Sequence, residues 1–381
     1  MTVLLILFLG TATLLWLSVF GYLLVLVSIA SRRRPGERGE PALPEIAVVI
    51  PTLNEEDLIA SKLADLRRTD YPRDRMEVVV VDGGSVDRTT KLVQQEIERG
   101  EKIKLLCLNG ARGKAYQINH ALGSLAQEVV VVTDADTLLE PSCIRELVGA
   151  LVNDPKTSVV GASIQPDSVL AEERLHWRVL NYLWWLEGEA FAAANISGVC
   201  YACRRTSVLP LSGNALAEDI HLALAAGTRG YGVRLCRNAL ATEVRVPQSP
   251  GERLDYRRRR GGTYVSELLC SSPNGLTSVG WRLARLMRLW HFLVAPKVGV
   301  GLAVAAGVLL LTPHWPWPLM TFAAFAAPPL AALCLPTTHT GKRDRWWSAT
   351  RGAGRWLALT WISLLTLNPR PSVQGPIGGR T

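Results

Sequence analysis

The chain alternates between stretches that read as membrane and stretches that read as a wound sheet. Residues 2–30 carry no charge and are rich in Leu and Val, well beyond the ~20 apolar residues that cross a bilayer, and predict a transmembrane helix. A cleaved signal peptide fits less well. No basic segment precedes the stretch, and Arg32-Arg33-Arg34 follows it without a convincing cleavage site. Residues 35–44 form a Pro, Gly and charge linker. Residues 46–50, 78–81, 103–106 and 129–133 are short runs dominated by Val, Ile and Leu with little or no polar alternation, the pattern of strands buried on both faces of a mostly parallel sheet.

Each of the first three strands leads through a polar turn into a helical pattern: from Asn54 to about Arg68, after Ser85 to about Gly100, and from Gly113-Lys114 through Leu122. Asn54, with Glu55 and Glu56 behind it, reads as a helix N-cap followed by acids in the first turn. A helix from Pro141 to about Asn153 and a strand at 158–162 follow. This βαβα order predicts an α/β sheet with its active edge at the carboxyl ends of the strands. The stretch His176 to Ala194, with Trp177, Tyr182, Trp184, Trp185 and Phe191, fits a packed core helix and an interfacial or acceptor-lining helix equally well.

After residue 287 the chain turns apolar again, interrupted by His291 and Pro296-Lys297, so we expect an interfacial entry and a span from near Val294. Residues 312–317 read as an aromatic turn, and 318–335 as a return span bent by Pro328-Pro329. Lys342, Arg343, Arg345, Arg351 and Arg355 mark a cytoplasmic loop, 356–367 is apolar but short of a span, and the tail from Asn368 is rich in Pro and Gly. The division expected is a transmembrane helix over 1–31, a linker over 32–44, a catalytic domain over 45–285, a membrane region over 286–367 and a tail over 368–381. Basic residues after the first span place the domain in the cytoplasm.

A length of 381 residues and a positive mean hydropathy exceed one ordinary soluble domain. The net charge of +9 suits nucleic acid, an anionic membrane surface or a phosphate-bearing substrate. No aromatic and basic platform accompanies the basic runs, which argues against nucleic acid. Seven scattered cysteines do not read as a disulfide framework, and Cys200-x-x-Cys203 lacks the partners of a zinc site.

The chemistry gathers at Asp134-Ala135-Asp136, two carboxylates at the end of the 129–133 strand, with Asp82 on the same edge. Such a pair is either a solvated turn or a site for Mg²⁺ or Mn²⁺ carrying a diphosphate. Gly113-Lys114 at a helix start suits phosphate but lacks the spacing of a P-loop. Glu218-Asp219 reads alone as acids at a helix N-terminus. Arg257-Arg258-Arg259-Arg260 suits either a leaving diphosphate or anionic headgroups.

Val-Ile-Pro-Thr-Leu-Asn-Glu-Glu, Val-Asp-Gly-Gly-Ser-Val-Asp-Arg-Thr, Arg-Gly-Lys-Ala-Tyr-Gln-Ile-Asn-His-Ala-Leu and Asp-Ala-Asp, in this order, resemble the inverting glycosyltransferases of GT-A fold that use nucleotide-diphosphate sugars. The membrane-bound branch of that family includes cellulose, hyaluronan and chitin synthases and ceramide glucosyltransferases. The resemblance covers about residues 46–264. It implies that Pro51, Thr52, Asn54, Glu55 and Asp82 hold the nucleoside, that Arg112 and Lys114 lie near base and phosphates, and that Asp134 and Asp136 bind ribose, diphosphate and metal. It also implies that the segment around Gly198 passes beneath the donor sugar, where a glycine lets backbone approach ligand. Ala217-Glu218-Asp219 is similar to the family's Thr-Glu-Asp motif, whose Asp takes the acceptor proton, so Asp219 is the expected base with Glu218 beside it. The arginines Arg257, Arg258, Arg259 and Arg260 stand where the family has Gln-x-x-Arg-Trp, here without Gln or Trp. The resemblance thus implies a UDP-sugar donor, a divalent cation, and a lipid or glycan acceptor. The missing Trp, on which processive synthases stack a sugar, favours single transfer to lipid.

Overall fold

The computed structural model describes residues 1–32, 43–110, 113–208, 210–212, 215, 217–271 and 277–334. Arg112, most of the linker, the basic residues 342–355, the segment 356–367 and the tail lie outside them.

Eight strands form one sheet in the order β3-β2-β1-β4-β7-β6-β8-β5: β1 Ile46–Thr52, β2 Met76–Asp82, β3 Ile103–Cys107, β4 Val129–Thr133, β5 Thr137–Leu139, β6 Thr157–Pro166, β7 Cys200–Arg204 and β8 Gly232–Glu243. β3, β2, β1 and β4 run parallel to one another, as do β6 and β8, whereas β7 runs antiparallel to β4 and β6, and β5 antiparallel to β8. Every residue of β1 and β4 is buried, which explains why their apolar runs carry no polar alternation.

The chain winds from β1 outward to β3 and then returns to the other side of β1 for β4. This reversal opens a crevice between the carboxyl ends of β1 and β4, the place where open α/β sheets take ligands. Pairing of β1 with β4 ends at Val49↔Val132, while pairing with β2 continues to Thr52↔Asp82. Pro51, which has no N–H to donate, sits in this half-paired end of β1, beyond the β4 ladder.

One departure from the sequence expectation, at Asn54, and one choice that the sequence leaves open, the aromatic stretch, concern local structure. Asn54 is not an N-cap: it holds φ +56, and the helix behind it is confined to Ile59–Leu66 with Leu58 at its cap. Its backbone N–H donates to Ser85 Oγ at 2.8 Å and its Oδ1 accepts from the Val86 N–H at 3.0 Å. Those tertiary bonds repay the left-handed conformation, which Asn tolerates better than most residues. The aromatic stretch is the helix Ala171–Ala190, with Trp177 and Trp184 buried in the main core and Tyr182 exposed.

Thr2–Ala30 and Val279–Leu310 are both helices long and apolar enough to cross a membrane. The second begins earlier than Val294 and does not break at Pro296. A wide π turn over Trp290–Val294 ends two residues before the proline, a local widening of the kind that accommodates its missing N–H. A third apolar helix, Pro316–Cys334, packs back on the first, where Trp16 Nε1 donates to the Ala324 carbonyl at 3.2 Å. The apolar helices are bolted to the domain. Glu187, wholly buried on the Ala171–Ala190 helix, accepts from Tyr22 Oη at 2.9 Å and from Arg288 Nη2 at 2.8 Å. Gly227 lies so close to Trp281 that a Cβ there would fall 1.9 Å from its Nε1.

Candidate active site

The crevice is lined by carboxylates delivered from separate strands and helices. Asp134 and Asp136 occupy the turn from β4 to β5, held by the Asp134 N–H to Val199 O at 3.0 Å and the Val244 N–H to Asp136 O at 2.9 Å. Glu243 ends β8, in register with Thr137 of β5. Glu55 follows β1. Glu218 and Asp219 open the helix Glu218–Thr228.

Lys114, the first residue of the helix Lys114–Leu122, joins two of these groups. Its Nζ lies 2.6 Å from Asp134 Oδ1 and 2.5 Å from Glu218 Oε1, and donates to the Gly198 carbonyl at 2.9 Å. Burial alone would lower the lysine's pKa, yet Asp134 and Glu218 hold it well above its ordinary value. Gly198 is required by this packing: a Cβ would stand 2.7 Å from Asp219 Oδ2 and 3.0 Å from Glu218 Oε1. The structure thus sets Gly198 against the paired acids.

The remaining expected residues sort by position. Pro51 and Thr52 form the end of β1, with Thr52 buried. Asp82 ends β2, where its Oδ2 accepts from the Gly84 and Ser85 N–H groups at 3.0 and 2.8 Å, so it shapes the turn that faces Asn54. Glu55 is paired with Arg245 Nη1 at 2.8 Å. The four arginines lie on one helix, Pro250–Cys270, and successive residues point about 100° apart. They therefore part company. Arg260 Nη2 approaches Glu243 Oε1 at 3.5 Å, and its charge reaches Asp219 and Asp134. Arg257 turns the other way to Glu173 at 3.3 Å, beside the fully buried Arg253. Arg258 meets Asp255 at 3.9 Å; Arg259 and Arg260 are both exposed, and of these two it is Arg260 that reaches an acid of the crevice.

Sequence reasoning missed Glu243, Arg245 and Tyr256. The alternation of Ala239-Leu240-Ala241-Thr242-Glu243-Val244-Arg245-Val246 carried a strand signal that would have put Glu243 and Arg245 at a strand end. Tyr256 donates to Glu243 Oε1 at 3.1 Å and lies under the Arg260 guanidinium, 4.6 Å from its ring centre.

Crowding shifts the acids. Burial, with Asp136 and Asp134 adding to it against Arg245, pushes Glu55 up to about 7. Burial, with Asp136 and Asp134 against Arg260, pushes Glu243 up to about 7. Asp134 rises to about 6, chiefly through burial and then through Glu218 and Asp136 against Lys114. Asp219 also rises to about 6, through burial and Glu218 against Lys114 and Arg260. Opposite the lysine and arginine, the crevice holds more negative charge than its cations match.

That surplus fits a divalent cation. Glu243 Oε2 is buried without a hydrogen-bond partner among the described residues, and these acids raise one another. No cluster of three or more His, Cys, Asp or Glu side chains forms a ready metal cage among the described residues. Asp134 and Asp136 would hold the ion as two carboxylates, leaving its other positions to diphosphate oxygens and water, as Mg²⁺ and Mn²⁺ sites of this type do.

Comparison with known proteins bears on the family and the fold. The family profile described as glycosyl transferase family 2 matches residues 47–207, and that of glycosyl transferase family group 2 matches residues 129–337. A probable glycosyltransferase, YdaM, of Bacillus subtilis (strain 168) is 32% identical over 213 residues, covering 53% of this chain and 51% of that protein. Cellulose synthase 2 of Novacetimonas hansenii is 26% identical over 344 residues, covering 84% of this chain and 20% of its own length. The chain therefore spans about half the length of the first relative and a fifth of the second. Among solved structures, a mannosyltransferase from Pyrobaculum calidifontis, in complex with GDP-Man and Mn²⁺, superposes with a TM-score of 0.68 at 24% identity. The match covers 94% of this chain and 98% of that one, and it shows a shared GT-A fold.

Proposed function

The chain belongs to the family 2 glycosyl transferases, and from that premise we propose that it moves a hexose or N-acetylhexosamine from a nucleotide-diphosphate sugar, a UDP-sugar by preference, to a membrane lipid, with inversion. The observation that carries this reading is the convergence on Lys114 of Asp134, from the metal-type turn, and Glu218, from the candidate base pair. A donor held at one and an acceptor hydroxyl presented to the other would meet within a few ångströms.

The residues divide the work. Asp134 and Asp136 would hold a divalent cation on the diphosphate, and that cation supplies charge neutralisation of the leaving nucleotide. Lys114 and Arg260 add fixed positive charge beside the same phosphates, which lowers the cost of negative charge building on the leaving group. Asp219, raised to about 6, is ionised near neutral pH yet more basic than an ordinary carboxylate. Those are the properties of a base for an acceptor hydroxyl.

The lipid acceptor is supported by the absence of the stacking Trp and by the apolar helices bolted to the domain through Glu187 and Gly227. Arg32-Arg33-Arg34 after the first apolar helix favours a cytoplasmic domain. A short processive polysaccharide synthase is the second reading, kept by the relative named cellulose synthase. A domain that only binds sugar nucleotides is the third. Purified protein incubated with a panel of UDP- and GDP-sugars and a native lipid extract separates them by mass spectrometry of the products. A lipid gaining one sugar is expected. A ladder of sugar additions would favour the synthase, and unchanged lipids with intact donors would favour the binding protein.

A further inference from the structure

We infer that Lys62 is a positioning residue for the acid turn: its buried ammonium grips both sides of Asp134-Ala135-Asp136 and so fixes where the two carboxylates meet a nucleotide-bound cation. The inference rests on the donor reading above and names a residue behind the site rather than in it.

Lys62 projects from the helix Ile59–Leu66 and is fully buried. Its Nζ donates to Thr133 Oγ1 at 2.9 Å and to the Thr137 carbonyl at 2.6 Å. Thr133 is the last residue of β4 and Thr137 the first of β5, so the bonds fall immediately before and immediately after the turn. Asp65, one helical turn on, extends the grip: its Oδ2 accepts from the Leu139 N–H at 2.8 Å. From above, the turn is fixed through the Asp134 N–H and the Asp136 carbonyl. From below, one helix holds it at three points.

A buried ammonium is an expensive way to fill a core position, where a Met or Leu of similar size would pack without losing hydration. Asp65 Oδ2 stands 3.9 Å from Nζ, beyond hydrogen-bond length, so the lysine is not simply one half of a tight ion pair. What an apolar side chain could not supply is the pair of directed bonds across the turn, together with a positive charge beneath a cluster of acids. Groups that orient metal-binding carboxylates from behind typically alter metal affinity by 10–100-fold when removed.

The experiment measures Mn²⁺ half-saturation at fixed UDP by titration calorimetry on the full-length protein in detergent, for wild type, Lys62→Met and Thr133→Val. Lys62→Met should raise the Mn²⁺ concentration required by about 10–100-fold, and Thr133→Val should shift it less, in the same direction. Thr133→Val keeps every buried charge and nearly the same volume, so it decides the matter if Lys62→Met does not fold. Wild-type Mn²⁺ requirements in Thr133→Val and in any folded Lys62→Met, with only a lowered melting temperature, would make Lys62 an ordinary core contact and overturn the inference. Wild-type protein that binds no UDP at any Mn²⁺ concentration would overturn the donor reading itself, and this inference with it.

Discussion

Lys114 Nζ and Glu218 Oε1 stand 2.5 Å apart, although one opens the helix after β3 and the other the helix before β8. The same ammonium serves Asp134, so one cation holds down the charge of both the donor and the acceptor sides. Burial raises Asp134 and Asp219 to about 6, and Lys114 pulls each back. In Lys114→Met both carboxyls should rise further. The acid limb of the kcat/KM profile should move to higher pH, and donor affinity should fall. A limb that stays in place would show that the lysine does not govern these acids.

Asp219→Asn tests the base. The amide keeps the size of the carboxylate and so preserves the contact with Gly198, but it cannot take a proton. Turnover should fall by ~10²–10⁴-fold while UDP affinity is retained. Near-normal turnover would move the role to Glu218.

The acid cluster also sets a pH dependence of stability with a definite sign. Glu55 and Glu243 are raised to about 7, Asp134 and Asp219 to about 6. A carboxyl raised on folding favours the folded state most below its unfolded pKa, and that contribution is lost as pH rises through the folded value. The unliganded protein should therefore lose thermal stability as pH climbs through this range, whereas activity that needs Asp219 ionised should rise. Mn²⁺ with UDP should flatten the loss by compensating the carboxylates. Thermal melts across pH, with and without Mn²⁺ and UDP, check this, and a midpoint that climbs with pH in the unliganded protein would contradict it.

The four arginines predict unequal effects. Arg260→Gln should weaken UDP binding and turnover together, since its charge acts on the crevice. Arg258→Gln and Arg259→Gln should stay near wild type in both. Arg257→Gln should lower the melting temperature more than the affinity, because it removes a partner of the buried Glu173. Equal losses of affinity in all four variants would mean that the run acts as a diffuse basic patch.

The parallel half of the sheet was legible because strands buried on both faces must be written as unbroken apolar runs, and four such runs precede the acids. β5 and β8 were not. β5 is a three-residue strand made only by pairing, and β8 alternates buried and partly exposed positions through an exposed pair at 237–238. Without β8, Glu243 had no place in the site. Asn54 was misread because an N-cap and a left-handed turn are spelt alike locally, and only Ser85 and Val86, supplied by another loop, decide between them. The arginine run looked uniform for a related reason: sequence adjacency hides the rotation of the helix. Lys62 carried no motif, since its meaning lies in the two threonines it reaches in space.

The contact of Glu187 with Tyr22 and Arg288 bears on how the protein must be made and where it can be cut. Synthesis delivers Tyr22 first, the carboxylate next and the arginine last. Until the helix Val279–Leu310 emerges, the domain has to close around Glu187 without the guanidinium it will later hold. Breaking a buried pair of this kind costs on the order of 3–5 kcal/mol, a large share of an ordinary domain's stability. A chain ending at residue 285, where sequence alone puts the domain boundary, would keep the carboxylate and discard its cation. A shortened protein that is to keep this contact would have to retain Arg288.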